Sequence, residues 1–304
     1  MSFQYEKDHY GSYAGLAINP ENIKEADVII QGVPFESATS GKKGTSFAIN
    51  SLRQICGDLP LISRRGVSIT DMKICDVGNV PVFPLNAEAT RESIENSIKY
   101  LLSKSSAPII TIGGDHSIAY PEIKGLSPLG TVGIIWFDAH RDLLDKMLSS
   151  RYSHGTALRR SIELNAVDPK NILLIGTRFM EPEEQLFVET NNISELSQPM
   201  LEDSENPREL VKEKTLEIAN RVDYLFVSID IDCLDPAHAP GTGTPVSGGM
   251  TSSQLMNYIW DIPAPFRALD IVEASPPLDV SGITIKAVLA LLTEIIAKIK
   301  LQKN

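Results

Sequence analysis

Three short stretches carry side chains whose types and spacing suit metal chemistry. In Asp138-Ala139-His140-Arg141-Asp142, two carboxylates and an imidazole recur at every second position, so in an extended segment all three point to one side. Asp230 and Asp232 repeat that spacing in Ser228-Ile229-Asp230-Ile231-Asp232-Cys233. In Gly113-Gly114-Asp115-His116-Ser117 the glycines allow a tight turn that presents His116. Clustered carboxylates raise each other's pKa unless positive charge is supplied. Two divalent cations about 3.5–4 Å apart, bridged by carboxylates and a water, supply that charge and form a recurrent hydrolytic device. Oxygen ligands suit Mn or Mg, and the imidazoles shift the choice toward transition metals. A lone Asp-x-Asp is usually a turn or a cap. The Asp-x-His-x-Asp triple is sharper, because such charge at the end of a long apolar run is expensive to bury without a metal.

These residues follow short β-branched runs that must position them. Such runs cover residues 26–33, 108–112, 131–138, 171–176, 223–230 and 267–272, and their nearly continuous apolar character suits strands buried on both faces of a parallel sheet. Helical periodicity appears between them, at 89–104, 212–220 and 252–259, and 283–299 reads as a closing amphipathic helix. Alternating strands and helices predict an α/β domain with helices on both faces of the sheet, and ligands in such folds bind at the C-terminal ends of the strands. The polar stretch 191–207 reads as a surface excursion too short to separate two domains.

The 304 residues carry 28 basic and 39 acidic side chains, a formal charge of −11, with 42% hydrophobic residues. That balance argues against a nucleic-acid partner, which calls for a basic stripe, and favours small cationic ligands. Lys286, Thr293, Glu294 and Lys298 interrupt the most apolar stretch, so no membrane span is expected. The N-terminal residues have no signal-peptide pattern, and Cys56, Cys75 and Cys233 show no Cys-x-x-Cys spacing; reduced cysteines in a cytoplasmic protein are the expectation. Asp115 reads as an acid that orients its neighbours, and His9 as a surface residue.

The motifs resemble those of a known family. GGDHS at 113–117, DAHRD at 138–142 and SIDIDCLDPAHAPGTGTPVSGG at 228–249 are similar to the three metal-site motifs of the ureohydrolases, the arginase and agmatinase superfamily. The similarity extends to GVPFESATSGKKGTSFAINSLR at 32–53, SHGTALRR at 153–160 and DIVEASPPLD at 270–279. The resemblance implies a three-layer α/β/α fold around a parallel sheet of about eight strands, with residues 1–25 as an N-terminal arm and 26–304 as one catalytic domain. It implies two Mn ions per subunit, one on His116, Asp138, Asp142 and Asp230, the other on His140, Asp138, Asp230 and Asp232. It also implies a homo-oligomer, a trimer or hexamer by analogy.

Within the family, 270–279 and 153–160 resemble the agmatinase branch, which implies hydrolysis of agmatine to putrescine and urea, a step of polyamine biosynthesis. A metal-bridging hydroxide would attack the guanidinium carbon, Asp142 would relay its proton, His154 would help protonate the leaving diamine, and Glu273 would hold the guanidinium. Arg141, Ala48-Ile49-Asn50, and Lys42 with Lys43 depart from the family pattern. Guanidinobutyrase, arginase and formiminoglutamase activities are the runners-up, because fold and metal motif do not fix the substrate tail. A fixed cation in residues 36–44 or 145–153, where Lys42, Lys43, Lys146 and Arg151 lie, would favour a carboxylate-bearing substrate. A relative that kept the fold and lost turnover is the reading from a different class.

Overall fold

The computed structural model describes residues 3–6, 10–262 and 265–303; His9 lies outside them. Among these residues eight parallel strands form one sheet: β1 Val28–Gly32, β2 Ile74–Asn79, β3 Ile109–Ile112, β4 Val132–Phe137, β5 Ile172–Ile175, β6 Ser194–Leu196, β7 Tyr224–Asp230 and β8 Ala268–Val272. Their spatial order is β2-β1-β3-β8-β7-β4-β5-β6. Alternate residues of each strand feed two different cores. Ile135 and Phe137 pack with α1 Ala48–Ile55, α7 Pro207–Ala219, α8 Ser252–Asp261 and α9 Ile283–Lys303. Ile134 and Trp136 pack on the opposite face with α2 Ala87–Lys104, α3 Ala119–Leu126, α4 Ala157–Ile162 and α5 Pro182–Asn191. Because both faces are covered, the strands read as unbroken apolar runs. The expected three-layer arrangement is present.

The six apolar runs coincide with six of these strands, and the other two are the sheet edges. β2 (Ile-Cys-Asp-Val-Gly-Asn) and β6 (Ser-Glu-Leu) mix polar residues into short segments. β6 and α6 Gln198–Asp203 lie inside 191–207, so that stretch is an edge strand and a helix, not a bare excursion. The free side of β2 is covered by earlier residues, through bridges Glu6–Asn79 and Ala17–Ile74.

The closing helix differs from the amphipathic expectation. Thr293, Glu294 and Lys298 are buried, and of the four interrupting residues only Lys286 is exposed. Each buried charge has local partners: Glu294 accepts the Arg64 N–H at 2.7 Å and the Trp260 indole N–H, while Lys298 ends on the carbonyls of Trp260 and Ile262. Among the described residues no helix is long and apolar enough to cross a membrane. Cys56, Cys75 and Cys233 are buried and unpaired.

Candidate metal centre

Four adjacent central strands, β3, β8, β7 and β4, end at the same edge of the sheet, and each is followed there by one cluster of polar residues. β3 leads to His116, β4 to Asp138, His140 and Asp142, β7 to Asp230 and Asp232, and β8 to Glu273. His154 joins them from the turn that opens α4.

The turn after β3 is built for close approach. A Cβ on Gly114 would meet the Phe35 carbonyl oxygen at 1.6 Å. Asp115 caps the following turn by accepting the Ser117 N–H at 3.1 Å, and its other oxygen accepts the Ala38 N–H at 2.9 Å. It ties the turn after β3 to the loop that carries Ala38. Burial, then the neighbouring Glu273, pushes its pKa up to about 6.

His116 is fixed on every side. Its ring stacks on Trp136 with centroids 4.0 Å apart, and Nε2 lies 2.7 Å from Ser228 Oγ, which itself donates to Asp270 Oδ1 at 2.6 Å. Ser228 therefore uses its own proton on Asp270 and accepts one from Nε2, which leaves a lone pair on Nδ1. That nitrogen faces Asp138 Oδ2 at 3.0 Å, Asp142 Oδ2 at 3.1 Å and Asp230 Oδ2 at 3.2 Å. None of these approaches has hydrogen-bond geometry; Nδ1 is buried without a partner. On the other side, His140 Nδ1 lies 3.4 Å from Asp138 Oδ1 and 3.2 Å from Asp232 Oδ2. Asp138 thus turns one oxygen to each imidazole.

Lone pairs converging on two points need positive charge between them. Burial raises the pKa of Asp230 well above the usual carboxylate range, and Asp232 and Asp138 add to that; burial and Asp138 likewise push Asp142 up to about 6. The ligand atoms of His116, Asp138 and Asp230 lie within 4.8 Å of one another, as do those of Asp138, His140 and Asp232. The orphaned Nδ1 and this donor set fit a pair of divalent cations.

The convergence is not that of an extended segment. β4 ends at Phe137, and Asp142 takes a left-handed φ of 54°. The loop bends instead, and the Asp138 carboxylate accepts the His140 N–H at 2.6 Å inside that bend. Glu273 is also left-handed, with φ of 60°; Oε1 accepts the His116 N–H at 2.9 Å, while Oε2 is buried without a partner. His154 Nδ1 lies 3.4 Å from Glu273 Oε1, and its Nε2 receives the Ser40 N–H at 3.1 Å. Burial opposes charge on His154, but Glu273 outweighs it and lifts the pKa to about 9. The Ser40 hydroxyl lies 2.8 Å from the same Nε2 and can give or take a proton there.

Sequence reasoning passed over Ser228 and Asp270, which fix His116. Their signal was present: each is a polar residue inside an otherwise apolar strand, and such a residue needs a partner. The role of Arg141, open in the sequence, also becomes visible. It is 2% exposed and clamps Glu195 with two bonds of 2.7 Å, from Nε and from Nη2.

A cavity of about 500 Å³ opens above the centre. His140, Asp142 and His154 form its floor; Leu144, Met147, Phe179 and Val246 give it apolar walls, and Glu181 and Glu184 line it. Neither lysine nor arginine is among its lining residues. Lys42, Lys43 and Lys146 are exposed and not among those lining residues, and Arg151 pairs with Glu163 at 2.6 Å.

A parallel α/β sheet that gathers acids and imidazoles at the C-terminal ends of its central strands defines a dinuclear metal-hydrolase scaffold. Residues 26–297 match the arginase family, and the chain belongs to it. That family depends on a binuclear metal centre. The chain is 32% identical over 262 residues to a guanidinopropionase of Pseudomonas aeruginosa, covering 83% of this chain and 80% of that protein. It is 31% identical over 278 residues to an agmatinase of Bacillus subtilis, covering 89% and 90%. In fold it is similar to the formimidoylglutamase of Bacillus subtilis, with a TM-score of 0.88 at 24% identity over 100% of this chain and 96% of that one.

Proposed function

We propose that this arginase-family hydrolase is a Mn-dependent amidinohydrolase that converts agmatine to putrescine and urea. The observation that carries the choice of agmatine is the cavity wall: Glu181 and Glu184 line it, and no fixed cation does. An ammonium tail is stabilised there, and the carboxylate tail of a guanidino acid finds no counter-charge. In this reading the catalytic domain is 26–304, preceded by the arm 1–25. His116, Asp138, Asp142 and Asp230 hold one cation, and His140, Asp138, Asp230 and Asp232 the other.

When bound, the cation pair supplies a hydroxide near neutral pH. The remaining work belongs to the chain. The unpartnered Oε2 of Glu273 accepts from the planar guanidinium and orients its carbon. Asp142 carries the proton of the attacking oxygen to the leaving amine, and His154 supplies a proton to the departing diamine. Leu144, Met147 and Phe179 pack against the methylene tail.

The test is urea release by Mn-loaded protein from agmatine, arginine, 3-guanidinopropionate and 4-guanidinobutyrate side by side. Agmatine is expected to have the highest kcat/KM. A higher value for either guanidino acid or for arginine overturns the substrate, and no urea from any of them overturns the activity.

A further inference from the structure

The two imidazoles of the centre are held in different ways. His116 is pinned through its own ring, by Ser228 at Nε2 and Trp136 across its face, both from central strands. His140 is 23% exposed on its side chain and meets Phe179 edge-on at 5.5 Å. Among the described residues no hydrogen bond holds its Nε2. The aim of His140 therefore depends on the backbone of its loop.

That loop is anchored by the next residue. Arg141 reaches away from the centre and clamps Glu195 with two parallel bonds of 2.7 Å; its Nη2 also donates to Gln185 Oε1 at 2.7 Å. Glu195 sits on β6, the edge strand, which pairs only with β5, and its Oε1 also accepts the Thr177 hydroxyl at 2.7 Å. The same end of the sheet holds the backbone just before His140, where the Ala139 carbonyl accepts the N–H groups of Arg178 and Phe179 at 2.9 and 3.0 Å. Arg178 then reaches over to the Asp232 carbonyl at 2.7 Å. Both residues particular to the second cation position, His140 and Asp232, are thus steadied from β5 and β6, whereas His116 is steadied from β4 and β7.

We propose that Arg141 and Glu195 are positioning residues whose ion pair sets the affinity of the His140 and Asp232 side. Asp142, the next residue and a ligand of the first cation in the reading above, is held separately, its carbonyl accepting the Arg159 N–H at 3.1 Å, so the His116 side depends far less on the pair. Breaking a buried two-pronged pair frees the loop, and His140 has no ring contact strong enough to hold its aim. Partners that orient metal ligands typically change metal affinity by about 10–100-fold when lost, and that is the loss expected at one of the two positions. This inference rests on the two-cation reading given above.

The experiment is a Mn²⁺ titration of chelator-stripped wild type, Glu195→Gln, Arg141→Lys and Asp76→Asn, followed by calorimetry and by the EPR signal of the coupled Mn pair. Asp76→Asn is the matched control: Arg53 clamps Asp76 with bonds of 2.9 and 2.8 Å on β2, at the opposite edge of the sheet. Wild type is expected to show two binding steps. Glu195→Gln is expected to keep the first within about threefold and weaken the second by about 10–100-fold, so that at two equivalents the coupled signal of wild type is replaced by that of a single ion. Arg141→Lys, which keeps the charge and loses the fork, is expected to move the same step in the same direction. Asp76→Asn is expected to lose stability and keep both steps. Equal steps in Glu195→Gln and wild type, a parallel fall of both steps, or the same split in Asp76→Asn overturns the positioning role. A wild type that never binds two ions overturns the two-cation reading and this inference with it.

Discussion

Asp138 Oδ2 faces Nδ1 of His116 at 3.0 Å, on the side of the ring opposite the Ser228 contact at Nε2. The second oxygen of Asp138 is turned to His140. One carboxylate thus serves both halves of the centre. Asp138→Ala is expected to remove both cations together, whereas Asp232→Ala should remove only the one on the His140 side. Metal analysis after gel filtration checks this, and one Mn retained at full occupancy in Asp138→Ala contradicts the shared role.

His154 touches Glu273 and Ser40 and is not among the residues gathered at the cation positions. Its replacement should separate chemistry from metal binding. His154→Ala is expected to lower kcat on agmatine by about 10²–10⁴-fold, the usual worth of a positioned proton donor, with the Mn content unchanged. A loss below about threefold would remove His154 from the proton path.

The cluster at the cation positions was legible in the sequence because its acids break apolar runs at the ends of central strands; Asp138 after Phe137 and Asp230 after Ile229 are polar where hydrophobic continuity stops, whereas His154 comes from a turn with no strand before it. Spacing alone does not produce their convergence. Alternation along an extended segment would put Asp138, His140 and Asp142 on one side, but the chain leaves the strand at Phe137 and uses a left-handed Asp142 to bring them together. Local spacing cannot reveal such a bend. Arg141 shows a second limit: its partner lies 54 residues away on β6, whose Ser-Glu-Leu sequence has no strand signal of its own. β2 is buried but interrupted by Asp76, Gly78 and Asn79, the two polar side chains being taken up by Arg53, and β6 has only three residues, so neither shows the apolar run that marks the six strands between them.

Glu181 caps α5 and lines the cavity while remaining exposed, so its effect on a bound tail is electrostatic and moderate. Glu181→Gln is expected to lower kcat/KM for agmatine by about two- to fivefold, in line with a solvent-screened pair of up to ~1 kcal/mol. Glu181→Lys should lower it further and raise the relative activity on 4-guanidinobutyrate. Both changes should shrink at high salt. Steady-state kinetics on the two substrates at two ionic strengths decide the matter; an unchanged substrate ratio in Glu181→Lys would move the tail contact elsewhere in the cavity.

Lys298 donates to the Trp260 carbonyl at 3.0 Å from inside α9. Burial lowers its pKa from 10.5 to about 8; Asp261 opposes that shift and Arg65 adds to it. Below pH 8 the lysine is protonated in both folded and unfolded chains, and its burial is a constant penalty. Between pH 8 and 10.5 the unfolded chain binds the extra proton, so this group makes stability rise with pH, at no more than about 1.4 kcal/mol per pH unit. Lys298→Met lacks the titration. The stability of wild type relative to Lys298→Met, from urea midpoints, is therefore expected to be constant from pH 6 to about 7.5 and to climb in favour of wild type toward pH 10. A difference that stays flat across that range, or falls, would mean that the two carbonyls hold the ammonium well enough to keep it charged.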